Sequence, residues 1–349
     1  MKMVAVHRAV GGRAPQVVVH TGQHYDWSMS GVFFEELGMP TPDANLEVGS
    51  GTHAAQTAEI MTRFEPMLDR FKPRVVVVYG DVNSTVAAAL VCSKLGVPVA
   101  HVEAGLRSRD RSMPEEINRI VTDALAQLLL TPSQDGNDNL AAEGIAASRV
   151  RLVGNVMIDT LVRLLPHTDP EGVRQRLDLG RPYALVTLHR PSNVDDAETL
   201  RGIMGALAEI AGRVDVVFPV HPRTRARIAA SGLHGPDTVR LLEPLGYLDF
   251  LALQRQAAMI ITDSGGIQEE ASFLGVPCLT VRENTERPIT ITHGTNVLVG
   301  RSPARLRQEA LSVLDRPRLP PAPLPLWDGH AGERIADLLI DFDAGQLSW

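Results

Sequence analysis

Short runs of β-branched and apolar residues alternate along this chain with longer stretches of helical periodicity. Gln16–His20 and Val75–Gly80 predict strands, and Ser84–Leu95 predicts a helix after the second of them. Gly96-Val97-Pro98 stops that helix, and Val97–Glu103 predicts the next strand. Glu115–Leu129 reads as a helix, Val150–Val153 as a strand and Ile158–Leu165 as a helix. Continuous apolar strands separated by helices predict parallel sheets covered on both faces.

Between Pro166 and Arg181 the apolar rhythm lapses and Pro, Asp, Gly and Arg accumulate. A second series follows, with strands predicted at Tyr183–Leu188, Val214–Val220, Val239–Leu242, Met259–Thr262 and Pro277–Val281. Glu198–Ala211 and Leu306–Leu314 predict helices between them, and Gly329–Phe342 a last one after the Pro-rich segment Pro317–Pro325. Leu-Gly-Val-Pro occurs at 95–98 and again at 274–277, each time closing a helix and opening a strand. The expected fold class is α/β, with two Rossmann-like domains and a cleft between them. We place a first domain at 1–165, a second at 166–328, and a C-terminal helix within 329–349 that is expected to cross back to the first.

Bulk properties narrow the function. A chain of 349 residues exceeds the usual size of one domain. Its net charge of −7 gives no broad footprint for nucleic acid. No apolar run approaches the ~20 residues of a membrane span, and no signal-peptide core is visible at the start. Cys92 and Cys278 share no short spacing, so they read as separate buried thiols in a reducing compartment, with the cytoplasm as the expected location. No His/Cys/Asp set has metal-ligand spacing, and no Gly-x-Gly-x-x-Gly occurs, so neither a metal nor a tightly held cofactor is expected.

In open α/β sheets ligands bind beyond the carboxyl ends of the strands. Asp81, Glu103, His189, His221 and the run Ser264-Gly265-Gly266 all fall at such ends. Asp81 serves either as a helix cap or as an acid/base group. Glu103, between Val102 and Ala104, would be half-buried and suited to acid/base work. Glu115 and Glu116 open a helix, where acids also complement the helix dipole. Ser264, Gly265 and Gly266 precede a helix and could hold a diphosphate on backbone N–H groups, with Glu269 or Glu270 accepting ribose hydroxyls. Arg287 could grip phosphate or pair with Glu286 or Glu283. Gln23, His24 and the residues after them suit a sugar or effector contact.

Taken together these segments resemble the non-hydrolysing UDP-N-acetylglucosamine 2-epimerases, a family of GT-B architecture. The strings that carry the resemblance are Thr21-Gly22-Gln23-His24, Gly80-Asp81, His101-Val102-Glu103-Ala104-Gly105-Leu106-Arg107 and Pro114-Glu115-Glu116 with Asn118-Arg119. Later come His189-Arg190, Pro219-Val220-His221, Thr262 to Glu270 and Glu286-Arg287-Pro288. The resemblance implies elimination of UDP across C1–C2 of a hexosamine and its re-addition with C2 inverted, without cofactor or metal. It implies Asp81, Glu103 and Glu115 as acid/base groups and His189 at the departing phosphate. Ser264, Gly265, Gly266 and Arg287 would hold phosphate, Glu270 the ribose, Phe250 would lie near uracil, and Lys2 would touch the nucleotide. A homodimer is implied as well, and Gln23, His24 and His221 mark a possible effector site. Asp26 stands where a second glutamine can occur, which argues against self-activation by substrate. The Tyr25-Asp26 and Phe33-Phe34…Leu37-Gly38 pattern is also similar to epimerases of UDP-2,3-diacetamido uronic acids. Family members begin with a further strand and a Gly-Thr-Arg-Pro-Glu-Ala motif, whereas here the match begins at Lys2-Met3, so a longer natural protein is expected. The alternatives are a hydrolysing 2-epimerase, a glycosyltransferase of the same fold, and a UDP-sugar-binding protein without turnover.

Overall fold

The computed structural model describes residues 1–22, 37–230, 239–317 and 323–342. Contacts divide the chain into two compact units, Met1–Arg163 with Pro325–Trp349, and Leu164–Leu324.

The first unit opens with α1 (Lys2–Val10). A short parallel pair follows, β1 (Val19–His20) and β2 (Ala44–Asn45). After α2 (His53–Phe71) the chain runs through β3 (Val76–Tyr79), α3 (Asn83–Leu95), β4 (Val99–Val102) and α4 (Pro114–Leu125). It continues through β5 (Leu128–Thr131), α5 (Gln134–Ala142), β6 (Val150–Leu152) and α6 (Val156–Leu164). Strands β3 to β6 form a parallel sheet in sequence order. Val78 of that sheet and Leu46 and Val48 after β2 share one core cluster with Ile60, Phe64 and Leu68 of α2, so one helix covers both pieces of sheet.

The sequence predicted one helix through Leu129, and here the structure corrects it. The helix stops at Leu125, and Leu128–Thr131 is a strand between β4 and β6, buried throughout. Leucines favour helix locally, but a strand with neighbours on both edges and apolar layers on both faces gains more from burial.

The first α-helix of the second unit is α7 (Pro170–Arg176), capped by Asp169, inside the segment where the apolar rhythm lapses. It continues through β7 (Tyr183–Thr187), α8 (Ala197–Ile210), β8 (Asp215–Pro219), α9 (Pro222–Ala230), β9 (Val239–Leu242) and α10 (Tyr247–Gln256). Then come β10 (Met259–Thr262), α11 (Gly265–Leu274), β11 (Cys278–Thr280), β12 (Asn296–Leu298) and α12 (Pro303–Leu314). All six strands are parallel, in the order β12-β11-β10-β7-β8-β9. The strand order reverses between β7 and β10, and such a switch point is where doubly wound sheets take ligands.

The last helix, α13 (Ala331–Ile340), belongs to the first unit. Its Ile335, Ala336 and Leu339 share a cluster with Val6 and Val10 of α1. Asp159 of α6 accepts from the amides of Ala331 and Gly332 at its start. Among the described residues no helix is long and apolar enough to cross a membrane. Cys92 and Cys278 are buried free thiols, and burial pushes both up to about 12.

Candidate active site

In the first unit the chemistry gathers where β3 and β4 end. Gly80 (φ 67°) turns the chain after β3 and presents Asp81. Asp81 does not cap α3, whose N-cap is Val82 with no side-chain bond; it pairs with Arg119 of α4 instead. Arg119 is almost wholly buried and also holds Glu116 at 2.8 Å. Asn118 donates to the Asp81 carbonyl at 2.9 Å and so ties the same helix turn to the same loop.

Glu103 leaves β4 with φ 74°, a conformation that costs a non-glycine residue about 1–3 kcal/mol. The Leu130 carbonyl holds it there, accepting from both the Glu103 and Ala104 amides at 3.0 and 3.1 Å. The carboxylate is buried, contacts Lys2 Nζ and lies 3.3 Å from where a Gly80 Cβ would be. Lys2, which the resemblance implies at the nucleotide, is thus placed on an acid of the first unit. Strained backbone kept in place by its surroundings is characteristic of functional sites.

The two glutamates that open α4 differ sharply. Glu116 is buried and accepts from the Ser108 and Arg109 amides, the Ser108 hydroxyl and Arg119. Burial would raise its carboxyl, but these bonds outweigh it and hold it below the usual range. Glu116 is therefore spent on shaping the 108–109 loop. Glu115 stays half-exposed on the same turn.

Beneath these acids lies a buried network of His101, Arg107, Asp123 and Glu143, of which only His101 and Arg107 stand in a string that carries the resemblance. His101 of β4 has no exposed surface; its Nδ1 is 2.6 Å from Asp123 and its Nε2 2.8 Å from the Gly80 carbonyl. Asp123 also accepts from Arg107 at 2.8 Å and from the Gly105 amide at 3.0 Å. Arg107 makes two further bonds to Glu143, at 2.8 and 2.7 Å. Burial alone would raise Asp123, and His101 with Arg107 holds it low instead. The signal was present in α4, where the polar residues 116, 118, 119, 122 and 123 face inward and Ile117 stays exposed.

In the second unit His189 follows β7, and Asp263 and Ser264 follow β10, at the switch point. Asp263 is fully buried and accepts from the His189 and Arg190 amides and from Asn193 at 2.9 Å. His189 Nδ1 lies 2.9 Å from the same carboxylate, while the ring is largely exposed. Burial would raise Asp263, but these donors keep it ionised. Asp263 was legible only as part of a quoted string; its place beside the His189 turn requires β7 and β10 to be neighbours.

Ser264 is the N-cap of α11, and Ser264, Gly265 and Gly266 are half-exposed there, at the helix N-terminus. A Cβ on Gly265 would sit 2.4 Å from Arg287 Nη1. Arg287 pairs with Glu269 at 2.6 Å and with Glu286; Glu283 lies near Arg301. Its cation therefore sits against the turn but is held by two carboxylates.

Glu270 is buried and accepts from Tyr247 at 2.8 Å and Gln254 at 2.6 Å. Burial, helped by Glu269, raises it from 4.5 to about 7 despite those two donors. Each of its oxygens thus accepts one bond from a chain donor. Phe250 is half-buried on α10 against the core cluster of this unit. His221 is exposed before α9, where its carbonyl accepts from the Arg225 amide. Gln23 and His24 lie outside the described residues. Among the described residues no His/Cys/Asp/Glu group is arranged to hold a metal ion.

Parallel sheets with helices between their strands and polar loops at the strand ends, together with the solved relatives, place the chain in the α/β class of GT-B type. A family profile described as UDP-N-acetylglucosamine 2-epimerase matches residues 10–340. The UDP-N-acetylglucosamine 2-epimerase of Methanocaldococcus jannaschii is 44% identical over 332 residues, 92% of this chain and 90% of that protein. The UDP-2,3-diacetamido-2,3-dideoxy-D-glucuronate 2-epimerase of Pseudomonas aeruginosa is 42% identical over 328 residues, 93% of this chain and 91% of that one. The crystal structure of the M. jannaschii enzyme in complex with UDP-GlcNAc and UDP has a TM-score of 0.89 at 42% identity and covers 97% of this chain and 95% of its own. The chain belongs to the UDP-N-acetylglucosamine 2-epimerase family.

Proposed function

We propose that the protein interconverts UDP-N-acetylglucosamine and UDP-N-acetylmannosamine without releasing free sugar. The observation that carries this is the carboxylate set at the ends of β3 and β4 with Glu115 on α4, in a chain 44% identical to a UDP-N-acetylglucosamine 2-epimerase. A carboxylate takes the C2 proton, the C2–H electron pair becomes the C1=C2 bond, and the C1–O bond breaks with its electrons leaving on UDP. In return a UDP oxygen attacks C1 and a proton is delivered to the other face of C2. The C2 proton is weakly acidic, so positioned acid/base groups are required; Asp81, Glu103 and Glu115 are the proposed ones. His189, oriented by Asp263, and the α11 amides at Ser264, Gly265 and Gly266 would stabilise the leaving diphosphate, with Arg287 adding positive charge behind the turn. Glu270 and Phe250 would serve the ribose and the base.

Incubation with UDP-N-acetylglucosamine in deuterated water tests the proposal. The expected product is UDP-N-acetylmannosamine carrying deuterium at C2. Free N-acetylmannosamine with UDP would point to the hydrolysing alternative, and binding without exchange to a protein that does not turn over.

The 42% identity to the diacetamido-uronate epimerase favours a second substrate class. Comparing kcat/KM on both sugar nucleotides decides between them.

A homodimer is proposed as well. Ile117 and Ala124 are exposed on α4 and Ile120 and Val121 half-exposed, while the polar face of the helix is buried. A second copy would cover this apolar strip. Ile117→Asp is expected to yield a monomer in sedimentation at concentrations where the parent is a dimer. A monomeric parent would exclude this. The buried free thiols suit a reducing, cytoplasmic setting.

A further inference from the structure

His101 is not among the acid/base groups assigned above, yet it sits directly under them. Its ring is fully buried in β4, and both nitrogens face acceptors. The Gly80 carbonyl, 2.8 Å from Nε2, has no proton to give. The Asp123 carboxylate, 2.6 Å from Nδ1, is held as an anion by Arg107 at 2.8 Å and by the Gly105 amide at 3.0 Å. A neutral imidazole would turn a lone pair on one of these acceptors, a buried polar mismatch. Only the doubly protonated ring satisfies both. The groups facing the ring complete the charge balance. Asp123 comes from α4, Arg107 from the loop after β4, and Glu143 from the end of α5 offsets Arg107 at 2.7 and 2.8 Å.

We propose that His101 is a positioning residue for the reaction: as an imidazolium donating through both nitrogens, it fixes the Gly80 carbonyl and thereby aims Asp81. The Gly80 carbonyl belongs to the Gly80–Asp81 peptide, and Gly80 is a glycine at φ 67°, so without the bond that peptide can turn. At the other end of the loop Asp81 is paired with Arg119. Fixed at its carbonyl and at its carboxylate, the turn has one orientation. The charge makes the tether stronger than a neutral bond. The inference rests on the epimerase function proposed above, in which Asp81 acts on substrate.

Neutron diffraction from the unmodified protein tests the charge state without any assay. Deuterium is expected on both Nδ1 and Nε2 of His101. Deuterium on only one nitrogen overturns the proposal, whether or not the protein is an epimerase. Kinetics test the positioning. His101→Gln keeps a donor where Nε2 stands, whereas His101→Asn keeps one only where Nδ1 stands. Misplacing a reacting group by about 1 Å costs roughly 100-fold, so His101→Asn is expected to lose about 100-fold in kcat with KM little changed, and His101→Gln at most about tenfold. Equal losses in the two variants, or a loss carried by KM, overturn the positioning role. An unmodified protein that turns over no UDP-sugar would sink the epimerase proposal while leaving the neutron result standing.

Discussion

Glu103→Gln is expected to lower kcat by about 10²–10⁴-fold while KM changes little, the range for removing a general acid/base group. Glutamine keeps the shape of the side chain and can still accept from Lys2, so the loss should fall on proton transfer and not on folding. The exchange experiment gives an independent readout, since wash-in of deuterium at C2 should fall in parallel with turnover. Asp81→Asn makes a less clean test, because it removes one of the two carboxylates paired with Arg119, which is almost fully buried. Breaking part of a buried ion-pair network is destabilising in its own right. If Glu103→Gln retains kcat within about threefold, a value well below that for general acid/base loss, Glu103 is only the structural partner of Lys2.

The parts of this site that were legible in the sequence are those set by position along a strand. Asp81, Glu103, His189 and Ser264 could be placed at carboxyl ends because the apolar runs before them are short and continuous. Long-range pairing was not legible. Nothing local to His101 announces Asp123 or the Gly80 carbonyl, and the choice of Glu269 and Glu286 as partners of Arg287 depends on how α11 and the loop after β11 pack. In the fold the misses have a physical pattern. Leu128 and Leu129 were read as helix because leucine favours helix locally, and only the neighbouring strands overrule it. The polar, Asn- and Gly-containing α5 was not predicted as a helix; burial of Gly136 and Leu140 selects it. Helix α4 inverts the usual rule outright. Its buried residues are all polar and its apolar residues exposed or half-exposed, so the amphipathic pattern found the helix but overran its end at Leu125 and did not show which face lies within the unit.

Gly105→Ala is expected to be the most destabilising small substitution near the site. Gly105 has φ 81°, and an added Cβ would stand 2.4 Å from the Gly136 carbonyl oxygen and 2.8 Å from its carbon. Both are backbone atoms of α5, so no side-chain rotation relieves the contact. The same turn is held by the Gly105 amide on Asp123 and by Asn139 donating to the Gly105 carbonyl at 2.8 Å. It therefore cannot drift without breaking the His101 network. A forced overlap in a packed interior costs about 1–3 kcal/mol. A left-handed conformation adds about 1–2 kcal/mol for a residue with a Cβ. A total near 3 kcal/mol corresponds to a fall in Tm of about 6–12 °C for a domain of this size. Gly96→Ala is the matched control, because Gly96 has φ 70° but open space around its Cβ position. It should show the conformational cost alone, about 1–2 kcal/mol. Calorimetry on the two variants separates the overlap from the strain. Equal Tm values would mean that α5 yields to the methyl group. In that case the turn carrying Glu103 is held less rigidly than its hydrogen bonds indicate.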